Sequence, residues 1–459
     1  MNTDRLRELL YQKYIAPTEC ATTQYIGVEI EIPTVNLLGG ATDHGVTKQA
    51  FSQFVRHYGF KPQGTDRYGV CYSATDPVTG DNISFDCSYN NLEISFGRER
   101  SLGPLAERFG SYIQHLNGIL KKENHILTGM GLNPNYHANR KDYLPVPRYQ
   151  MLEGYLKRGN DWKIPMYFHP YPEFGTYASA SQVQLDVSRD KLISAIRVQS
   201  PLEPVKTVLF ANSWMDDEPD LLCVRDLFWE NSTHGINPHN IGMYERLPES
   251  IEELLDYISG TSIFCTERDG KYCHFQPIPI LEYFQQEQVD AEYYWEGVYH
   301  PYPLTPQESD LKYLRTYKFE DPTYRGTIEY RSSCSQPFSD ALTVAAFHLG
   351  LADQVGELEE LLEKDHVLYH HGYSATELRK ILNRRRWPEF INREGLRKLL
   401  LQVLELAGNG LKDRGYGEEI YLQPLFVRAD TLTSPARAFV DGLDAGRSRS
   451  DFVLDYAKC

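Results

Sequence analysis

The chain has 459 residues, 41 % of them hydrophobic, with 63 acidic against 47 basic side chains and a net charge of −16. That surplus repels nucleic-acid backbones and anionic lipid, which argues against both as partners, and a small anionic substrate is expected to bind only beside local arginines or bound cations. The length allows one large domain or two to three ordinary ones, and 32 tyrosines help supply a sizeable core.

The opening "MNTDRLRELLYQKY" reads as a short amphipathic helix, not as a basic, apolar-centred leader. No run approaches the roughly 18 apolar residues of a membrane span. The eight cysteines form no C-x-x-C pair, so reduced thiols in a cytoplasmic protein are expected. His125, His137 and His169 are expected to be structural or surface groups, and the pair His370-His371 to lie at the surface.

The first strand signal is "YIGVEIEI" (25–32). Alternation puts Ile26, Val28, Ile30 and Ile32 on one face and Gly27, Glu29 and Glu31 on the other. A half-exposed strand and a carboxylate-lined cavity both fit that pattern. "GATDHGVTK" (40–48) has part of a phosphate-loop spacing but lacks the Lys-Ser/Thr ending, so it reads as a loop before a helix starting near Thr47. "NNLEISF" then places Glu93 opposite Leu92 and Ile94. The proline-rich stretches near 142–147, 165–172 and 277–306 are expected to be long surface loops. "SQVQLDV" sets Gln182, Gln184 and Asp186 against Val183, Leu185 and Val187, and "TIEYR" sets Glu329 and Arg331 against Ile328 and Tyr330.

Beyond Ser339 the pattern turns helical. A helix capped by Ser339 is expected through Lys364, a second around Leu378 to Leu382 stopped by Pro388, and a third from Leu396 ended by Gly408-Asn409-Gly410. Arg384-Arg385-Arg386 reads as a solvated helix face, and Cys334 as a buried thiol. The expected fold is α+β: a curved, mainly antiparallel sheet with packed helices and a helical C-terminal region. The expected division is a catalytic domain over 1–350 and a helical region over 351–459.

Together the strands propose one polar face carrying Glu29, Glu31, Glu93, Gln182, Gln184, Asp186, Glu329 and Arg331. Carboxylates gathered on one surface repel one another unless solvent or cations separate them. Oxygen ligands without cysteine or histidine suit Mg²⁺ or Mn²⁺ rather than zinc. Carboxylate-held Mg²⁺ is also a way for an acidic protein to accept ATP. No G-x-S-x-G motif or nucleophile triad is present.

These segments resemble the glutamate–cysteine ligases of the plant and actinobacterial branch. The matches are Gly27-x-Glu29-x-Glu31, "NNLEIS" around Glu93, "GLNP" (131–134) and "RYQM" (148–151). They continue with "SQVQLD" (181–186), Ala211-Asn212-Ser213, Arg225 four residues before Trp229, and "TIEYR" ending at Arg331. Their order holds over about residues 24–350. Ile32 departs from the pattern, standing where plant enzymes carry a lysine after E-x-E.

The resemblance implies a partly barrel-like sheet related to glutamine synthetase, with ATP and Mg²⁺ on its concave face. It also implies activation of the γ-carboxylate of L-glutamate as an acyl phosphate, followed by coupling to an amine, first L-cysteine. By matched position Glu29, Glu31, Glu93 and Glu329 become metal-ligand candidates, with Glu29, Glu93 and Arg331 the catalytic candidates. Gln182, Gln184 and Arg331 would contact glutamate or phosphate, and Arg148 and Arg225 would anchor anions. A ligase of the same fold using another amine, and a non-catalytic relative binding a nucleotide or amino acid, remain the alternatives.

Overall fold

The computed structural model describes residues 1–20, 23–366, 368–369 and 371–459. Seven strands open the main sheet: β1 (Ile26–Asn36), β2 (Lys61–Thr65), β3 (Cys71–Thr75), β4 (Asn82–Phe85), β5 (Asn91–Ser95), β6 (His125–Leu127) and β7 (Ser181–Asp186). Two late strands, Glu320–Pro322 and Thr327–Tyr330, complete it. The spatial order is Glu320–Pro322, Thr327–Tyr330, β7, β1, β5, β4, β3, β2, with β6 pairing the far end of β1. Every pairing is antiparallel, and the sheet stays open at both edges, so it does not close into a barrel.

Alternation along β1 does what its sequence dictates. Ile26, Val28, Ile30 and Ile32 are at most 2 % exposed, each burial being worth roughly 1.5–3 kcal/mol. Helix Thr343–Leu351 packs behind β1 and β7, and helix Arg393–Arg414 packs on that helix in turn. The apolar side of the sheet is thereby sealed, and its polar side is left facing a cavity.

Several local expectations need correction. Ser339 caps nothing: a 3-10 turn at Phe338–Asp340 leads into Thr343–Leu351, and a break precedes Val355–Lys364. The second helix, Ala375–Leu382, starts with a capping box between Ser374 and Glu377. It stops before Arg384, so the three arginines lie outside it. Arg384 bridges Leu221, and Arg385 pairs with Asp444. The helix of 40–48 begins at His44, earlier than Thr47, because Asp43 accepts from Gly45 N (2.7 Å) and Val46 N (3.4 Å). A carboxylate therefore already occupies that helix end.

Gly408-Asn409-Gly410 does not stop the third helix, which runs from Arg393 to Arg414 and ends at Gly415 with φ +75°. The glycine at 410 serves packing: a Cβ there would lie 1.9 Å from the Gly350 carbonyl oxygen. Gly410→Ala should cost about 1–3 kcal/mol in urea unfolding. Unchanged stability would mean the two helices can part freely.

Residues 277–306 are not one loop. Ser262–Arg268, Lys271–Pro279, Glu292–Trp295 and Val298–Pro301 form a second antiparallel sheet. Its last hairpin turns at Glu296-Gly297, both with positive φ (51° and 82°), the conformation that matches strand twist in two-residue hairpins. The 142–147 stretch buries Tyr143, Leu144 and Val146 before Pro147 opens helix Pro147–Lys157. His125 and His169 are buried and hydrogen-bonded, His137 is exposed, and Cys334 is buried. His371 is exposed, whereas His370 lies outside the described residues. No helix among the described residues is long and apolar enough to cross a membrane.

Candidate functional site

Strand register decides which polar side chains meet. Glu31 stands opposite Glu93 on β5, Glu29 opposite Gln182 on β7, and Gln184 opposite Glu329. Glu329 in turn stands opposite Asp321 on the edge strand. All of these line a single cavity of about 780 Å³, within the range of small-molecule sites. Arg331, two residues beyond Glu329, lines it too. Asp186, at the end of β7, does not line the cavity and accepts from the Tyr25 amide at 3.0 Å.

The glutamines tie the carboxylates together. Gln184 Nε2 donates to Glu329 Oε1 (2.9 Å) and Glu29 Oε1 (3.3 Å). Gln182 Nε2 donates to Glu31 Oε1 at 3.3 Å, and the Ala180 amide donates to Glu31 Oε2 at 2.7 Å. Ser95 Oγ donates to Glu93 Oε1 at 2.6 Å, and Arg331 pairs with Glu329.

A further carboxylate completes the floor. Asp86 follows β4 directly and accepts from Tyr149 OH at 3.0 Å. One carboxylate oxygen each of Glu31, Asp86 and Glu93 lie within 4.8 Å of one another. Sequence reasoning missed Asp86, yet Asn82, Ser84 and Asp86 alternate onto the face that Glu93 shares, since Ser84 pairs with Glu93. That extended alternation was the available signal.

Such crowding disfavours full ionisation. Burial, then Glu329, pushes Glu29 up to about 7. Burial, then Asp86, pushes Glu31 up to about 8. Glu93 is raised well above the usual carboxylate range by burial and then by Glu29, and burial also raises Asp86 against the opposing pull of Arg148. An oxygen-only donor set strained by like charge fits a hard divalent cation.

Basic groups line the same cavity: Lys13, Arg148, Arg225, Lys312, Arg315, Arg325 and Arg331. Arg148 sits in the first turn of Pro147–Lys157 and makes no ion pair among the described residues. Arg225 both lines the cavity and donates to the Ser332 (3.3 Å) and Ser333 (3.0 Å) carbonyls, bracing the segment after Arg331. A third wall is aromatic: Trp229 stacks on Tyr317 at 4.6 Å, and Phe174 on Phe228 at 5.2 Å. Acid floor, basic rim and aromatic wall together suit a metal-bound polyphosphate beside organic substrates.

Residues 25–449 match the family model of glutamate-cysteine ligase family 2 (GCS2). The chain belongs to that family. Among curated relatives of the family, glutamate–cysteine ligase B, chloroplastic, of Oryza sativa subsp. japonica is 21 % identical over 369 residues, covering 78 % of this chain and 69 % of the relative. The chloroplastic glutamate–cysteine ligase of Nicotiana tabacum is 21 % identical over 360 residues, covering 76 % of this chain and 64 % of its own length. Among solved structures, one similar to this chain is a glutamate–cysteine ligase from Francisella tularensis in complex with AMP. It is similar with a TM-score of 0.49 and 11 % identity, over 96 % of this chain and 88 % of that one. A bifunctional glutathione synthetase from Pasteurella multocida is similar with a TM-score of 0.48 and 12 % identity, over 99 % of this chain and 53 % of that one.

Proposed function

We propose that this ligase activates the γ-carboxylate of L-glutamate with ATP and couples it to an amine, with L-cysteine the first acceptor. The observation that carries this reading is the convergence of Glu31, Asp86 and Glu93 within 4.8 Å on the floor of a cavity rimmed by arginines.

Glu31, Asp86 and Glu93 would hold one Mg²⁺ or Mn²⁺, with Glu29 and Glu329 beside them. Bound there, the cation supplies charge neutralisation for phosphoryl oxygens. The protein's own part is positioning. Arg331 and Arg148 hold negatively charged oxygens of nucleotide and carboxylate, and Gln184 fixes the separation of Glu29 from Glu329. The γ-phosphoryl passes from ATP to a carboxylate oxygen, because a free carboxylate is a poor acyl donor at neutral pH. The amine nitrogen then bonds to the acyl carbon as inorganic phosphate departs with the C–O electron pair.

The direct assay is ATP, Mg²⁺, L-glutamate and hydroxylamine, reading glutamyl hydroxamate. Hydroxamate formed only with ATP supports acyl-phosphate chemistry. No hydroxamate and no ATP turnover across an amine panel ends the ligase reading.

A linked prediction concerns pH. Glu29 and Glu31 have folded-state values of about 7 and about 8, above the ordinary carboxylate range of the unfolded chain. The metal-free folded state therefore holds more protons than the unfolded one, and its stability falls as pH rises toward 8. A cation binds only the deprotonated carboxylates. The melting-temperature gain from added Mg²⁺ should thus be larger near pH ~8 than near pH ~6. An equal gain at both would remove these groups from the binding set.

A further inference from the structure

A buried cluster of charge stands behind the wall that carries Arg331. Glu203, the first residue of helix Glu203–Phe210, is fully buried, at the helix end where a negative charge is favoured. It pairs with Lys206 one turn on, and its Oε2 accepts from Arg379 Nη1 at 2.6 Å. Arg379 also donates to both oxygens of Asp226 at 2.9 Å. Glu320 lies 3.7 Å from Lys206 Nζ and is the surplus acid of the set, since burial and then Glu203 hold it well above the usual carboxylate range. The two remaining carboxylates, Glu203 and Asp226, thus face two cations. Packed apolar side chains of similar volume are often as stable as such a cluster, so stability alone does not account for it.

The cluster touches the chain beside three cavity residues. Ser332 follows Arg331, Asp226 follows Arg225, and Glu320 precedes Asp321, and these three neighbours all line the cavity. Ser332 is the most direct link. Arg331 stands one residue past strand Thr327–Tyr330, whose register with β7 ends at Tyr330 opposite Val183. The chain there is held by Arg331 N on the Phe319 carbonyl (3.0 Å) and by Ser181 N on the Ser333 carbonyl (3.1 Å). Between them Ser332 is fastened by side chains: its carbonyl accepts from Arg225 Nη1 at 3.3 Å, and its hydroxyl donates to Glu203 Oε1 at 3.0 Å. Arg331 itself pairs with Glu329, its guanidinium 5.6 Å from the centre of the Tyr317 ring. Its aim at a substrate therefore depends on how the 331–333 segment is pinned from behind.

We propose that Glu203 is a positioning residue for phosphoryl transfer: through the Ser332 hydroxyl it fixes the direction in which Arg331 meets the transferring phosphoryl oxygens. This deepens the ligase reading above and rests on it. Glu203 does not line the cavity, so it acts only through its neighbours. A cation already aimed at developing charge needs no reorganisation during the reaction, and a displacement of about 1 Å can cost about a hundredfold in rate. The cluster supplies the anchor. Glu203 is held by Lys206 on its own helix and by Arg379 on helix Ala375–Leu382, so the Ser332 hydroxyl meets an acceptor that is itself fixed in place.

The test uses full-length protein in the hydroxylamine assay, with folding checked by circular dichroism. Ser332→Ala removes the link and leaves Glu203 with both its cations. It should lower kcat at least about tenfold while KM for ATP and for L-glutamate stays within about twofold, the pattern of an interaction made in the transition state. In an Arg331→Lys background the same Ser332→Ala change should cost less than about twofold, because the residue it acts through is gone. Glu203→Ala should lose at least as much kcat as Ser332→Ala, and the two together no more than Glu203→Ala alone. If Glu203→Ala folds poorly, the Ser332–Arg331 cycle decides. An unchanged kcat for Ser332→Ala, or an equal fall in both Arg331 backgrounds, would overturn the proposal. So would a raised KM at constant kcat, which would make the contact one of substrate binding. Failure of the underlying ligase reading shows separately, as absence of hydroxamate from the unsubstituted protein.

Discussion

Glu93→Gln should reduce ATP-dependent hydroxamate formation by at least about a thousandfold, because several kcal/mol of charge stabilisation would depend on the cation proposed to bind at Glu93. The same substitution should leave the fold intact and raise the melting temperature of the metal-free protein. Glu93 is buried against Glu29, Asp86 and Glu31, and burial and those neighbours all hold its carboxyl well above the usual range. A neutral amide of the same shape relieves the repulsion, keeps an acceptor for Ser95 Oγ, and removes a charged ligand. Loss of activity with gain of stability is the signature of a residue retained for binding rather than for folding. Full activity would take Glu93 out of the metal set, and outright unfolding would make it a structural group. Thermal melting and the hydroxamate assay on one preparation separate the three outcomes.

The second large effect lies behind the cavity. Arg379, on helix Ala375–Leu382, donates to Glu203 Oε2 (2.6 Å) and, through two nitrogens, to both oxygens of Asp226 at 2.9 Å. Glu203 also pairs with Lys206 and accepts from Ser332 Oγ at 3.0 Å. Asp226 adjoins Arg225, and Ser332 adjoins Arg331, so this buried network ties the C-terminal helices to two arginines of the site. Arg379→Met leaves two carboxylates short of their cation in a buried setting. It should cost about 3–5 kcal/mol in chemical denaturation, the usual penalty for breaking a buried pair from one side. A loss below about 1 kcal/mol would mean that the network is solvated and worth little.

Strand alternation made much of the site readable from sequence. Glu29, Glu31, Glu93, Gln182, Gln184, Glu329 and Arg331 all line the cavity, since a period of two fixes which side chains share a face. Antiparallel register then places them side by side without any unusual backbone. Asp86 escaped notice because it falls one residue past β4, at the entry to a turn in which Cys87 has positive φ. Asp321 escaped because its strand has three residues and contains a proline, too short for any periodicity to show. The basic rim was only partly visible: Lys13 and Arg315 come from segments remote in sequence that meet only through tertiary packing.

The helical tail shows the opposite failure, where local rules were applied correctly and lost to packing. Gly408-Asn409-Gly410 is a good stop signal, but the close crossing at Gly350 needs a residue without Cβ and repays an uninterrupted helix. Prolines between 277 and 306 suggested loops, whereas Pro277 sits within the register shift of a strand and Pro279 and Pro301 end strands of a sheet whose Glu296-Gly297 turn is itself hairpin-like.

The claim on which the ligase account stands is that Glu31, Asp86 and Glu93 jointly bind a divalent cation that receives a nucleotide. Anomalous diffraction from crystals grown with Mn²⁺ and a non-hydrolysable ATP analogue measures this directly. The account predicts a manganese peak within coordination distance of all three carboxylates, with phosphate oxygens completing its shell on the side of Arg331. Nucleotide bound with no manganese at those carboxylates, or manganese held elsewhere in the cavity, would contradict it.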